Sequence, residues 1–79
     1  MAMVRAYVLI QTEAGQTERV AKAVAGVDGV GSAVSVTGPY DVIALIEAPS
    51  IDDLGRLVAS HIQAVKGITR TITCPVLHF

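Results

Sequence analysis

The chain has one cysteine, Cys74, no tryptophan, and aromatics limited to two tyrosines and one phenylalanine. A lone cysteine excludes both a disulfide framework and a thiolate pair for zinc, so a reducing cytoplasm is the expected compartment. Cys74 then reads as a small apolar residue in or near a strand. Charge is scarce as well: Asp, Glu, Lys and Arg make up 16% of residues, with six basic against seven acidic and a net charge of −1. The basic residues Arg5, Arg19, Lys22, Arg56, Lys66 and Arg70 are dispersed, which leaves no electrostatic footprint for nucleic acid. No wholly apolar run is longer than Val42–Ile46, far short of the roughly 20 residues of a spanning helix, and no secretory signal opens the chain. What is present is apolar content: 52% of the 79 residues, with a mean hydropathy of +0.57. One small domain, residues 1–79, follows from the length. Its apolar surplus exceeds what a small soluble monomer carries, so with a membrane excluded a protein partner is expected to cover it, and the chain is read as an oligomer.

Arg5 to Gln11 is rich in strand formers and gives way to Thr12-Glu13-Ala14-Gly15, where alternation stops. From about Gln16, Val20, Val24 and Val27 with intervening alanines predict an amphipathic helix ending before Gly26 or Gly29. Val30 to Thr37 reads as a second strand, Gly38-Pro39 as a two-residue turn, and Tyr40 to Glu47 as the third strand of a hairpin. Ser50-Ile51-Asp52-Asp53 has capping-box spacing. The helix it opens carries Ile51, Leu54, Leu57, Val58, His61, Ile62 and Val65 on one stripe, and Ile68 to Cys74 is a fourth strand before Pro75 withdraws a ladder donor.

Val27 to Val36 aligns without gaps to Val65 to Cys74, sharing V-x-G-(V/I)-x-x-x-(V/I)-S/T. Each half therefore carries the same helix exit and strand entry, and the chain is two strand-helix-strand units in the order βαββαβ. Right-handed crossovers make this a ferredoxin-like α+β fold, a four-stranded antiparallel sheet with both helices on one face. Simple alternation places Val34, Val36 and Ile72 under the helices. It leaves Ala33, Ser35, Thr37, Thr69, Thr71 and Thr73 on the open face, with Tyr7 and Leu9. That set is free of charge, so the open face is read as a dimer interface, with the tail Val76-Leu77-His78-Phe79 available to cover the partner.

Catalytic constellations are thin. His61 lies on the helix stripe, read as a partly buried structural histidine, and His78 lies in the tail; neither has a carboxylate placed to orient it. Adjacent Asp52 and Asp53 suit helix capping. Gly29-x-Gly31 lacks the third glycine and the strand-to-helix context of a nucleotide loop. No cofactor and no metal are expected. The compact polar group is Gly38-Pro39-Tyr40-Asp41 at the hairpin. It reads either as a plain turn or as a site where Asp41 pairs a ligand ammonium beside free backbone N–H groups and near the hydroxyls of the fourth strand.

Val36-Thr37-Gly38-Pro39-Tyr40-Asp41-Val42 resembles the V-T-G-x-Y-D-hydrophobic signature of the Lrp/AsnC family of feast/famine regulators. Lys66-Gly67-Ile68-Thr69-Arg70-Thr71-Ile72-Thr73 resembles that family's G-V-x-x-T-x-T ending, with Ile for Val. The resemblance runs from about Val4 to Leu77 and covers the C-terminal effector and oligomerisation domain, often called RAM. It implies a dimeric α+β barrel formed through the sheets, rings of dimers, and an amino acid or similar metabolite bound between dimers. Effector-binding roles carry over to Gly38, Tyr40 and Asp41 in the loop and to Thr71 and Thr73 on the fourth strand. Full-length regulators begin with a helix-turn-helix domain, whereas this chain starts at the first strand, so the resemblance is to the RAM domain alone. The leading expectation is a non-enzymatic sensing module, able to co-assemble with full-length Lrp/AsnC-type regulators, without direct contact to nucleic acid or membrane. The alternatives are a small monooxygenase-like enzyme of the dimeric α+β barrel type and a purely structural assembly subunit.

Overall fold

A computed structural model describes residues 3–78. The elements follow in the order β1 (Val4–Thr12), α1 (Thr17–Ala25), β2 (Val30–Ser35), β3 (Val42–Ala48), α2 (Ile51–Leu57, continuing as a π-helical turn over Val58–Ile62) and β4 (Ile68–Pro75). The antiparallel sheet has the order β2-β3-β1-β4, the ferredoxin-like arrangement that the two halves predict. Alternation in the central strands is regular. Ala6, Val8 and Ile10 of β1 and Val42, Ala44, Ile46 and Ala48 of β3 are buried against Val20, Ala21 and Val24 of α1 and Leu54, Val58 and Ile62 of the second helix. Among the described residues no polar or charged side chain is buried, so burial of apolar surface is the dominant stabilising term.

Each helix hands over to its strand through the same backbone device. Gly29 (φ +96°) and Gly67 (φ +99°) hold the left-handed conformation that side chains avoid. The preceding turns are closed by Val30 N–H to Val27 O at 3.1 Å and Ile68 N–H to Val65 O at 3.4 Å. The sequence echo is therefore a structural echo. The second helix is capped as its sequence predicts: Ser50 Oγ accepts from the Asp53 N–H at 3.1 Å and donates to Asp53 Oδ2 at 3.0 Å, satisfying one amide of the first turn.

Three expectations are corrected. The faces of the two edge strands are reversed: Ala33 pairs with Ala44 and Ser35 with Val42, Thr71 pairs with Ile10 and Thr73 with Val8, so these residues lie on the helix side. Val34, opposite Ile43, and Ile72, opposite Leu9, lie on the open face. The physical reason is a β-bulge in each edge strand. Pairing passes from Val30↔Ile46 to Ser32↔Leu45, leaving out Gly31, and from Ile68↔Thr12 to Arg70↔Gln11, leaving out Thr69. One extra residue inverts every side chain beyond it. Gly31 and Thr69 occupy equivalent places in the echo, so the bulge too is repeated.

The hairpin is also wider than a two-residue turn. Val36 and Thr37 belong to the connection rather than to β2, and the loop is closed by the Val36 N–H to Asp41 O at 2.9 Å. Finally, His61 and Ile51 are exposed. The π-helical turn, closed by Gln63 N–H to Val58 O at 2.9 Å, spaces its residues more widely than an α-helix and carries His61 off the stripe that keeps Leu54, Val58 and Ile62 inside. Of the tail, Val76 continues beside β1, its N–H bonded to Arg5 O at 2.9 Å; Phe79 lies outside the described residues.

Candidate functional site

The loop between β2 and β3 is tied to the end of β1 by Asp41. Its Oδ2 accepts from the Thr12 N–H at 2.8 Å and from the Thr12 hydroxyl at 3.2 Å, and its own N–H donates to Ile10 O at 2.9 Å. Thr12 Oγ1 also lies 2.9 Å from Thr17 Oγ1 at the start of α1, so loop, strand and helix meet on one threonine. Gln11 adds a second tie, donating from Nε2 to Pro39 O at 3.1 Å. Asp41 Oδ1 has no hydrogen-bond partner among the described residues. Gly38, at φ +143°, has open space where a Cβ would stand, and Tyr40 is half-buried beside it. Gly38, Tyr40 and Asp41 are thus brought together.

Thr71 and Thr73 are not brought to them. Both are on β4, across β1 from the loop: Ile10 receives the Asp41 N–H on one side and pairs with Thr71 on the other, a separation of two strand spacings, roughly 10 Å. Thr71 accepts from Gln63 Nε2 at 2.9 Å and lines a polar hollow of about 320 Å³ with Ile68, Thr69 and Arg70. Thr73 lines an adjoining apolar groove of about 330 Å³, with Leu54, Gly55, Val58, Ala59 and Pro75. Thr12 and Gln63 are the neighbours of the candidate residues that sequence reasoning missed. Thr12 carried only a strand-end signal, and Gln63 follows a π-helical turn that has no sequence signature.

On the other side of the sheet, the open face falls into four rows. The middle two hold Ser32, Leu45, Tyr7 and Cys74, then Val34, Ile43, Leu9 and Ile72. Val34 and Tyr7 stand 54% and 47% exposed. The outer rows carry the charge: Glu47 beside Arg5 at one end, at 3.8 Å, and Arg70 beside Gln11 at the other, near the loop that bears Asp41. The face is therefore not the uncharged one that simple alternation predicted: it carries Arg5, Glu47 and Arg70 in its outer rows, and only its middle rows are neutral, with larger apolar residues than expected.

Among the described residues no cluster of His, Cys, Asp and Glu is placed to hold a metal ion, and no helix is long and apolar enough to cross a membrane.

Comparison with known proteins gives a consistent result. The family model described as the Lrp/AsnC ligand binding domain matches residues 5–78. An uncharacterized HTH-type transcriptional regulator of Pyrococcus horikoshii is 30% identical over 71 residues, 86% of this chain and 47% of its own length. The chain therefore spans about half the length of the curated regulators it matches. A homocitrate synthase of Sulfolobus acidocaldarius is 31% identical over 61 residues, 77% of this chain but 13% of that enzyme. Among solved structures, a protein from Thermus thermophilus superposes with a TM-score of 0.89 at 30% identity, covering 96% of this chain and 95% of that one.

Proposed function

Because the chain belongs to the Lrp/AsnC ligand-binding-domain family, we propose that it works without catalysing a reaction, as a cytoplasmic sensing and assembly module. It forms dimers through the open sheet face, the dimers assemble into rings, and an amino acid or similar metabolite bound between dimers biases one assembly over another. The shift is limited by the difference in ligand affinity between the assemblies. The observation that carries this reading is the divided carboxylate of Asp41. One oxygen holds the loop to Thr12 while the other is left to a ligand ammonium. Gly38 and Tyr40 flank it, and Thr71 and Thr73, which lie across β1 in the same chain, would be supplied by the neighbouring dimer. Full-length regulators of the family are the natural co-assembly partners, and this domain makes no direct contact with nucleic acid or membrane.

A thermal-shift screen of the twenty amino acids tests the reading, since a ligand that binds only the folded state raises its melting temperature; light scattering then reads the change in assembly. With a ligand in hand, Asp41→Asn keeps an acceptor for Thr12 but removes the charge. A charged hydrogen bond is worth about 1.5–3 kcal/mol, so affinity is expected to fall roughly ten- to a hundredfold with dimerisation intact. Unchanged affinity removes Asp41 from the site, and a screen without any shift leaves a structural assembly subunit.

A second reading has the same module acting on an enzyme rather than on a DNA-binding regulator. The match to a small part of homocitrate synthase favours it.

A further inference from the structure

The helix layer does not cover the whole sheet. α1 packs on β2 and β3, and α2 on β3 and β1, so the layer stops short of β4. Along that margin runs the apolar groove of about 330 Å³, walled by Ile51, Leu54, Gly55, Val58 and Ala59. Gln63 reaches across the gap to the Thr71 hydroxyl at 2.9 Å and lines both this groove and the polar hollow beside it. Groove and hollow therefore meet at one amide. Among the described residues no charged side chain lines the groove.

Gly55 has no explanation within the single chain. Proline apart, glycine is the poorest residue for a helix interior, and Gly55 sits inside α2. Gly29 and Gly67 have positive φ, whereas Gly55 does not. It is not crowded either, since a Cβ there would have no neighbour within 4 Å. Neither backbone conformation nor packing asks for glycine, so what it provides is room in the groove it lines. A volume of this size lies at the lower end for small-molecule sites, about 300–1,000 Å³. It suits one amino-acid side chain rather than a partner helix.

The chemistry of the walls decides what that side chain is. An ionised group would be desolvated there without a countercharge, and an amide would give up hydrogen bonds to water that apolar walls do not replace. An aliphatic or thioether side chain meets neither cost and takes apolar surface, the exposed Ile51 included, out of water. We infer that the groove is the side-chain subsite of the amino-acid site, that its ligand is an apolar amino acid of the size of leucine or methionine, and that Gly55 sets the upper limit on that size. The main-chain end of the ligand then lies toward Gln63 and Thr71, where Asp41 of a neighbouring dimer takes the ammonium. The inference rests on the sensing reading above and adds to it the class of ligand and the residue that selects it.

The test is calorimetric titration with L-leucine and L-asparagine, which are close in shape and differ in polarity. The wild-type chain is expected to bind L-leucine roughly tenfold or more tightly than L-asparagine. Gly55→Leu fills the groove from within and should lower L-leucine affinity on the order of a hundredfold, with the oligomeric state unchanged by light scattering. Ala59→Leu narrows the same groove from its exposed side and serves as the blocked variant if Gly55→Leu does not fold. Gly55→Ala separates a ligand role from a structural one. Its melting temperature without ligand should rise, because alanine is the better helix former, while its affinity for L-methionine falls more than that for the smaller L-valine. Equal affinities for L-leucine and L-asparagine overturn the inference, as does a folded blocked variant that binds L-leucine like the wild type. Binding confined to polar amino acids also overturns it but leaves the sensing reading standing, whereas a chain that binds none of the twenty sinks both.

Discussion

The two halves of the chain solve one folding problem with the same parts and different margins. Gly29 and Gly67 turn the chain at equivalent points, Gly31 and Thr69 bulge the following strands, and Val20 and Val24 of α1 correspond to Val58 and Ile62 of the second helix. The differences lie outside that shared frame. β1 runs on to Thr12 and reaches α1 through a four-residue connection, whereas β3 enters α2 after two residues through the Ser50 cap. α1 ends as an α-helix at Gly26, whereas its counterpart finishes in a π-helical turn. The Asp41 latch depends on the extra length of β1, and the groove holding Thr73 adjoins the π-helical turn. Backbone devices are repeated where the fold needs them, and the candidate site residues collect where the halves diverge.

The comparison can be broken first in the core. Ile62→Ala should cost about 2–5 kcal/mol by leaving a cavity under the wide turn, and Val24→Ala at the equivalent place about 2 kcal/mol for two methyl groups. Equal losses, measured by denaturant unfolding, would mean that the π-helical turn closes over the gap. Next come the paired glycines. A side chain in the left-handed region costs roughly 1–2 kcal/mol, and Gly67→Ala should exceed Gly29→Ala. A Cβ at Gly67 would stand 2.8 Å from Arg19 Nη2, 3.1 Å from Val20 Cγ2 and 3.2 Å from Gln16 Cβ, while at Gly29 the close contact is Leu57 Cδ2 at 2.9 Å. Arg19 also donates to Lys66 O at 2.6 Å, a bond the intruding methyl would displace. The order of melting temperatures checks the ranking. The smallest effect is expected at the bulge: Gly31→Thr places in one half what the other already has at Thr69, with Leu45 O at 3.6 Å from the new Cβ, and stability should change within about 0.5 kcal/mol. A large loss there would show that the two bulges are not interchangeable.

These devices differ in how openly the sequence declares them. The echoed V-x-G turn is readable because glycine alone accepts that conformation, and from it the element order and the sheet follow. The Ser50 cap is readable for the same kind of reason, since a hydroxyl at that spacing has one local use. The bulges are not. Gly31 inside a strand is a weak hint, and Thr69 is an ordinary strand residue, so alternation counted through them put Thr71 and Thr73 on the wrong side of the sheet. His61 was misplaced because helical periodicity assumes a turn of constant width. Of the candidate site, Gly38, Tyr40 and Asp41 were legible as a motif, but the partner that holds Asp41, Thr12, is separated from it by the whole of α1 and β2 and becomes visible only when β1 and β3 are laid side by side.

In the proposed assembly, the uncharged middle rows of the open face would also set the response to temperature. In the proposed dimer, contacts made by Tyr7, Leu9, Val34, Ile43, Leu45 and Ile72 would release ordered water rather than form directed bonds, with little enthalpy near room temperature and a large negative heat-capacity change. Such an interface loosens in the cold. Dimers held this way should dissociate more readily near 4 °C than at 25 °C, and a chilled sample would then report the properties of the protomer rather than of the assembly.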